Sequence, residues 1–325
     1  MLRASVFVLL VLAGLSGLAG PRDSLLPVRS AWTVLHEEKM VEAELIDIES
    51  GYHATGDHRR ALNRLLKMAS LGALGWNRRV HYRLFDDLAR VSARLRLYPL
   101  AMKCYYNASR QADGLLTDSS CYREDTFAES TPVRIDSIRE AFDDGKAVIA
   151  YALLVEVKQP IPGKRKAFGH ISNVGHTFVT LIKYNADGSI VCRSFGFYPN
   201  KVGPLDATPI HPNSPSVIKD DSKHDWDELA GRFISGRQFD KILGILQSYD
   251  HRVYNLNHSN CTDFGLLMAG IGGMRIERTA GHWPLGRGNN PGSAGQSLLE
   301  GEVRNADRED GEPLFVASGL LAGNH

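Results

Sequence analysis

The chain reads as an α+β protein: a helical N-terminal part followed by an antiparallel sheet with packed helices. Three observations carry that reading. Apolar residues recur at helical spacing through the first third. A strong hairpin signal, with Asp187-Gly188 at its turn, lies near the middle, and one cysteine opens a helix directly after a strand-like run. The 325 residues, 43% of them hydrophobic, can bury a sizeable core, and a net charge of +1 gives no reason to expect nucleic acid as a partner.

Residues 1–19 are expected to be a secretory signal peptide. Arg3 precedes an apolar run, Val6 to Leu12, and small residues follow to Ala19, where cleavage is expected. No later segment is apolar over enough length to cross a bilayer as a helix. The mature protein is therefore expected to be exported, periplasmic or secreted, with no transmembrane segment.

Residues 30–112 read as a helical subdomain. Leu62, Leu65, Leu66 and Ala69 form one stripe, begun by Asp57 as a cap, and Leu84, Leu88, Val91 and Leu95 form another. Residues 88–108 have the small and aromatic pattern of a tetratricopeptide-like helical pair, a shape suited to packing or to docking a protein partner. Residues 113–131 are polar and Gly/Ser/Asp-bearing, a linker.

An α+β domain is expected over residues 132–300. A short helix fits Asp136 to Asp144, and Ala147 to Val157 is a continuous apolar run of β-formers. His176 to Tyr184 and Ile190 to Tyr198 form the hairpin. A Pro-rich loop to Pro215 precedes two helical patterns, Trp226-Leu229-Ala230-Phe233 and Phe239 to Tyr249. Arg252 to Asn257 then leads into the cysteine helix, which is expected to stop at Gly272-Gly273. Helices are expected on one side of the sheet. Gly286 to Gly295 reads as a flexible connector without the P-loop spacing for phosphate, and residues 303–325 as a mobile tail.

Cys261 carries the chemistry. A thiol at a helix N-terminus feels the positive end of the backbone dipoles, which favours the thiolate. Asn260 and Asp263 read as a capping arrangement beside it rather than as catalytic groups. A thiolate needs a base, and His176 is the best placed, at a strand end after Gly175. With a three-residue turn His176 lies opposite Tyr198 and with a two-residue turn opposite Pro199, so Tyr198 and Asn200 are both candidates to orient the imidazole. His282, beside Trp283, is a pocket residue first and an alternative base second. His211, His224, His251 and His258 read as surface residues. Export would let Cys104 and Cys121 form a disulfide, with Cys192 a small buried hydrophobe or else a partner of Cys261. No zinc-type ligand spacing is present, so no metal or cofactor is expected, and a metal site built from His170, His176 and His282 lacks local spacing.

His176 at a strand start, a neighbouring strand, then Asn260-Cys261-Thr262-Asp263-Phe264 at a helix start resemble the circularly permuted papain-like group. That group includes lecithin-retinol acyltransferase-like proteins and NlpC-type cell-wall peptidases, and its histidine strand precedes its cysteine helix. The resemblance covers residues 133–285. It implies a papain-like sheet backed by helices and a cysteine-dependent hydrolase or acyltransferase, cleaving an amide or ester with Cys261 as nucleophile and His176 as base. The substrate would be a peptide or acyl group, and export suggests cell-wall peptide. Permuted members often carry a histidine on the next strand, where this chain has Arg193 to Tyr198, so the third catalytic position stays open. The alternative is a non-catalytic binding or scaffold protein with a degenerate papain-like domain and a helical docking part.

Overall fold

The computed structural model describes residues 31–72, 77–110, 128–169, 173–307 and 314–319. The expected signal peptide, most of the linker and Cys121 lie outside them. Four helices come first: α1 (Ala31–Thr55), α2 (His58–Gly72), α3 (Arg78–Arg94) and α4 (Tyr98–Arg110). Asp57 caps the Arg60 N–H at 3.0 Å, as its position before the leucine stripe predicts. The stripes on α2 and α3 are buried, and α3 turns into α4 through Arg96, held at φ 58°.

The rest of the chain alternates strands and helices. In order they are β1 (Thr131–Pro132), α5 (Ile135–Phe142), β2 (Val148–Lys158), β3 (His176–Asn185), β4 (Ile190–Pro199), β5 (Asn213–Ser214), β6 (Ser216–Asp220), β7 (Glu228–Ile234) and α6 (Gly236–Gln247). Then follow β8 (Tyr254–Asn255), α7 (Cys261–Ile271), β9 (Met274–Ile276), β10 (Ala280–Trp283), β11 (Gly286–Asn289), α8 (Pro291–Leu299), β12 (Val303–Asn305) and β13 (Phe315–Ser318). Seven strands make one antiparallel sheet in the order β1-β6-β4-β3-β2-β7-β13. Of the two turns open for the β3–β4 hairpin, the chain takes the three-residue one: Tyr184 pairs with Ile190, and Gly188 sits at φ +85°, where a side chain would strain.

Helices cover both faces of the sheet, not one. Ala152, Leu154, Phe178, Ile182 and Tyr184 share a core with the four N-terminal helices. Leu153, Val155, Val179, Leu181, Phe195 and Phe197 face α5, α6, α7 and α8. Burial on both faces explains why β2 is continuously apolar instead of alternating. It also explains a misreading, since Trp226-Leu229-Ala230-Phe233 has helical spacing yet Glu228–Ile234 is a strand. A run buried on two faces carries no period that tells helix from strand, and Gly231 in its middle disfavours a helix.

Two further expectations are corrected. The stretch from Gly286 to Gly295 is a strand followed by a helix, with Asn290 accepting the Ser293 N–H at 2.9 Å and Pro291 opening the helix. The described residues from Val303 onward, 303–307 and 314–319, are not a loose tail: β12 pairs with β9, and β13 forms the sheet edge against β7. Phe315 is 2% exposed and lies 5.4 Å from the Tyr105 ring. Phe315→Ala should therefore cost about 3–5 kcal/mol of folding stability in a denaturant titration. A loss below about 1 kcal/mol would mean that the edge strand is not part of the core.

Candidate functional site

At one end of the sheet, β3 begins next to the start of α7. The helix comes close because Gly265 has no side chain: a Cβ there would lie 2.5 Å from the Thr177 methyl. Thr177 and Thr262 hydroxyls meet at 3.2 Å, joining strand start to helix start. The capping arrangement is present as read. Asn260 Oδ1 accepts the N–H of Thr262 at 2.8 Å and of Asp263 at 3.1 Å, while Asp263 Oδ2 accepts the Asn260 N–H at 3.0 Å. Asp263 Oδ1 accepts from Asn289 Nδ2 at 2.7 Å. Its charge is thus spent on the cap and on β11.

Cys261 and His176 are brought together, both nearly fully buried, close enough for the imidazole and the sulfur to shift each other's ionisation. The other imidazole nitrogen, Nε2, lies 3.1 Å from Asp221 Oδ2, which leaves Nδ1 for the thiol. Asp221, fully buried, is the group that the sequence reading missed. It follows β6, two strands away from β3, and reaches His176 across β4 at Gly196. A Cβ on Gly196 would sit 2.3 Å from Asp221 Oδ2 and 2.5 Å from His176 Nε2, so only glycine leaves room for the pair. The signal in the sequence was short: Val217-Ile218, a β-branched pair, running into Asp220-Asp221.

Tyr198 lies opposite His176, as the three-residue turn requires, its ring 4.1 Å from the imidazole, but its hydroxyl bonds Asp221 Oδ1 at 2.6 Å and not the histidine. It reaches the imidazole's hydrogen bonding only through the carboxylate. Asn200 is exposed at the strand end, and His282 is exposed on the β10–β11 hairpin, where Trp283 and not the histidine lines the cleft. His224, read as a surface residue, packs its ring 5.1 Å from that of His176. Burial and the charge of His176 hold its pKa below the ordinary value, so it stays neutral beside the site.

Burial alone would push the Cys261 thiol up. The hydrogen bond and charge of His176, with the Thr177 N–H and the Tyr254 hydroxyl, bring it below the ordinary thiol value. Burial likewise opposes a charge on His176, but Asp221 and Cys261 raise it to about 9. Asp221 itself is held down, against its burial, by His176, Ser130 and Tyr198. A buried thiolate–imidazolium pair is the state these contacts favour. Tyr254, from β8, brings its buried hydroxyl to the sulfur. Because Asn260 already takes the Thr262 and Asp263 N–H groups, Cys261 N–H and Tyr254 O–H are the donors left beside the sulfur.

The cleft at Cys261 is narrow, a cavity of about 20 Å³ walled by Phe168, Val174, Tyr254, Trp283 and Asn290, close to the least volume a water molecule needs. Phe168 meets Trp283 edge to face at 5.8 Å. The segment that carries Phe168 is fastened by Arg165, which donates to Arg278 O at 2.7 Å, Ser297 Oγ at 3.0 Å and the carboxylates of Glu300 and Glu302 at 2.7 and 3.0 Å. Among the described residues Cys104, Cys192 and Cys261 are free thiols, so Cys192 and Cys261 are not bridged to each other, and Cys121, the expected partner of Cys104, lies outside those residues. Among the described residues no group of three His, Cys, Asp or Glu side chains converges as a metal site, and His170 lies outside them. No described helix is long and apolar enough to cross a membrane. No protein-family model matches the chain, and no curated protein or solved structure matches it either.

Proposed function

We propose that the chain is a cysteine-dependent hydrolase or acyltransferase acting on an amide or ester. The observation that carries the reading is the buried series in which Cys261 lies beside His176 and His176 is hydrogen-bonded to Asp221. Its order along the chain, with helices packed on a sheet end, supports a permuted papain-like arrangement.

The Cys261 thiolate attacks the carbonyl carbon, forming a C–S bond while the carbonyl π electrons move to oxygen. Cys261 N–H and Tyr254 O–H donate to that oxyanion. Collapse breaks the bond to nitrogen or oxygen, and the leaving group takes the proton from His176 Nδ1. Water, or another hydroxyl or amine, then attacks the thioester and gives its proton to the neutral imidazole. Collapse of that adduct breaks the C–S bond, releasing the acyl product and restoring the Cys261 thiolate beside the imidazolium. Asp221 keeps the ring turned and supports its charge, as the third member of such triads does. Release from an exported protein onto cell-wall peptide is the substrate setting we favour.

The second reading, a binding or scaffold protein whose tetratricopeptide-like helices dock a partner, is favoured by one observation: Cys261 is only 6% exposed and its cleft is almost closed. Competitive labelling with iodoacetamide decides between them. At mildly acidic pH Cys261 should label at least about tenfold faster than Cys104, whose thiol burial pushes up, because only a low-pKa cysteine is a thiolate there. Labelling no faster than that of the other cysteines would favour the scaffold.

A further inference from the structure

The carboxylate of Asp221 is held by more than its histidine. Oδ2 serves His176, and Oδ1 accepts from the hydroxyls of Tyr198, at 2.6 Å, and of Ser130. The two hydroxyls lie 3.0 Å apart. Ser130 is not a residue of β4 or β6. It precedes β1, at the end of the segment that runs from the helical layer to the sheet. That end is fastened along β6 and the turn after it: Ala128 N–H donates to Lys223 O at 3.4 Å, Thr131 pairs with Asp220, and Val133 N–H donates to Ile218 O at 3.0 Å. The fastening points lie on both sides of Ser130 and bring its hydroxyl to the fully buried Asp221.

We propose that Ser130 is a positioning residue of the catalytic series, a hydroxyl delivered by the connecting segment that keeps Asp221 ionised and turned toward His176. The assignment rests on the reading of Cys261 as a nucleophile. A carboxylate removed from water stays charged only when hydrogen bonds replace the lost solvent. With Oδ2 given to the imidazole, Oδ1 depends on its two hydroxyl donors. Around this carboxylate the titratable groups are His176, Tyr198, His224 and the buried Glu156, whose own carboxyl is pushed up by burial and by the charge of Asp221, with Cys261 beyond the imidazole. None of them can replace Ser130 at Oδ1 except Tyr198, which is already there.

The test uses the full chain and follows alkylation of Cys261 by iodoacetamide through a series from acid to neutral pH, read site by site by mass spectrometry. Losing a donor to the carboxylate makes Asp221 protonate at higher pH, and the thiolate–imidazolium pair dissolves with it. The acid edge of Cys261 reactivity should therefore move up by about one pH unit in Ser130→Ala. Ser130→Thr, which keeps the hydroxyl, should retain the wild-type edge. Ser130→Val, isosteric with threonine, should move with alanine, so the Thr/Val comparison stands even if the alanine variant does not fold. A residue that only ties the segment down would lower folded yield without moving the edge. Coincident edges in the wild type and in the hydroxyl-free variants overturn the proposal, and so does a threonine edge displaced as far as that of valine. A wild-type Cys261 with no acid-shifted reactivity overturns the nucleophile reading instead.

Discussion

Cys261→Ser should lose at least about a thousandfold in turnover of a small activated ester such as p-nitrophenyl acetate, with the fold intact. The contacts that lower the thiol, from His176, the Thr177 N–H and Tyr254, act on a group whose ordinary pKa is already within their reach. A serine hydroxyl ionises many units higher, and the same contacts leave it neutral. The fold should not suffer, because the helix start is organised by Asn260 and Asp263 and not by the sulfur. The expected thermal midpoint lies within a few degrees of the wild type. Activity retained to within about tenfold would remove Cys261 from the chemistry and the proposed function with it.

Asp221→Asn should come next in size, with a loss of about a hundredfold to ten-thousandfold in kcat and a smaller change in KM. The amide keeps the shape that Gly196 accommodates, so the effect isolates charge and hydrogen-bond polarity. Burial already opposes the imidazolium, and Asp221 is the first of the groups that raise it to about 9. Without that carboxylate His176 should lose its proton well below pH 9, and the thiol should rise in turn. Activity that depends on a protonated imidazole should thus fall at a lower pH than in the wild type. The neighbouring Asp220 is exposed and serves only the turn, accepting the Ser222 N–H at 2.8 Å. Asp220→Asn should stay within about threefold of the wild type. Equal losses at positions 220 and 221 would show that Asp221 matters to the turn and not to His176.

How much of this was legible in the sequence depends on the range of the interaction. The Cys261 helix, its cap and its end at Gly272 are set by residues within one or two turns of each other, and they read correctly. The β3–β4 hairpin was legible for the same reason, but its register stayed open between two turn lengths until the structure placed Tyr198 beside His176. Asp221 was not legible, because its role exists only through the pairing of β6 with β4, and β6 was hidden in a Pro-rich, polar stretch. β7 was lost to a period that burial on two faces makes ambiguous. Helix α8 was missed although Asn290-Pro291 announces a helix start, since the surrounding glycines suggested a loop. His224 looked like one more polar histidine, and only the turn after β6 folds it against His176. Residues acting across the sheet were invisible where those acting along the chain were not.

The order of the three groups of the proposed series along the chain, His176, then Asp221, then Cys261, has a consequence for how the protein is made. Synthesis delivers the base and its carboxylate before the nucleophile, and the nucleophile is activated only when α7 docks against Thr177 through Gly265. Until that docking the cysteine is an ordinary thiol, protonated at neutral pH and slow to react. Maturation of reactivity is thereby tied to completion of the fold. In an unfinished chain only a few per cent of this cysteine would be thiolate at neutral pH, and in a finished one the sulfur sits behind Phe168 and Trp283.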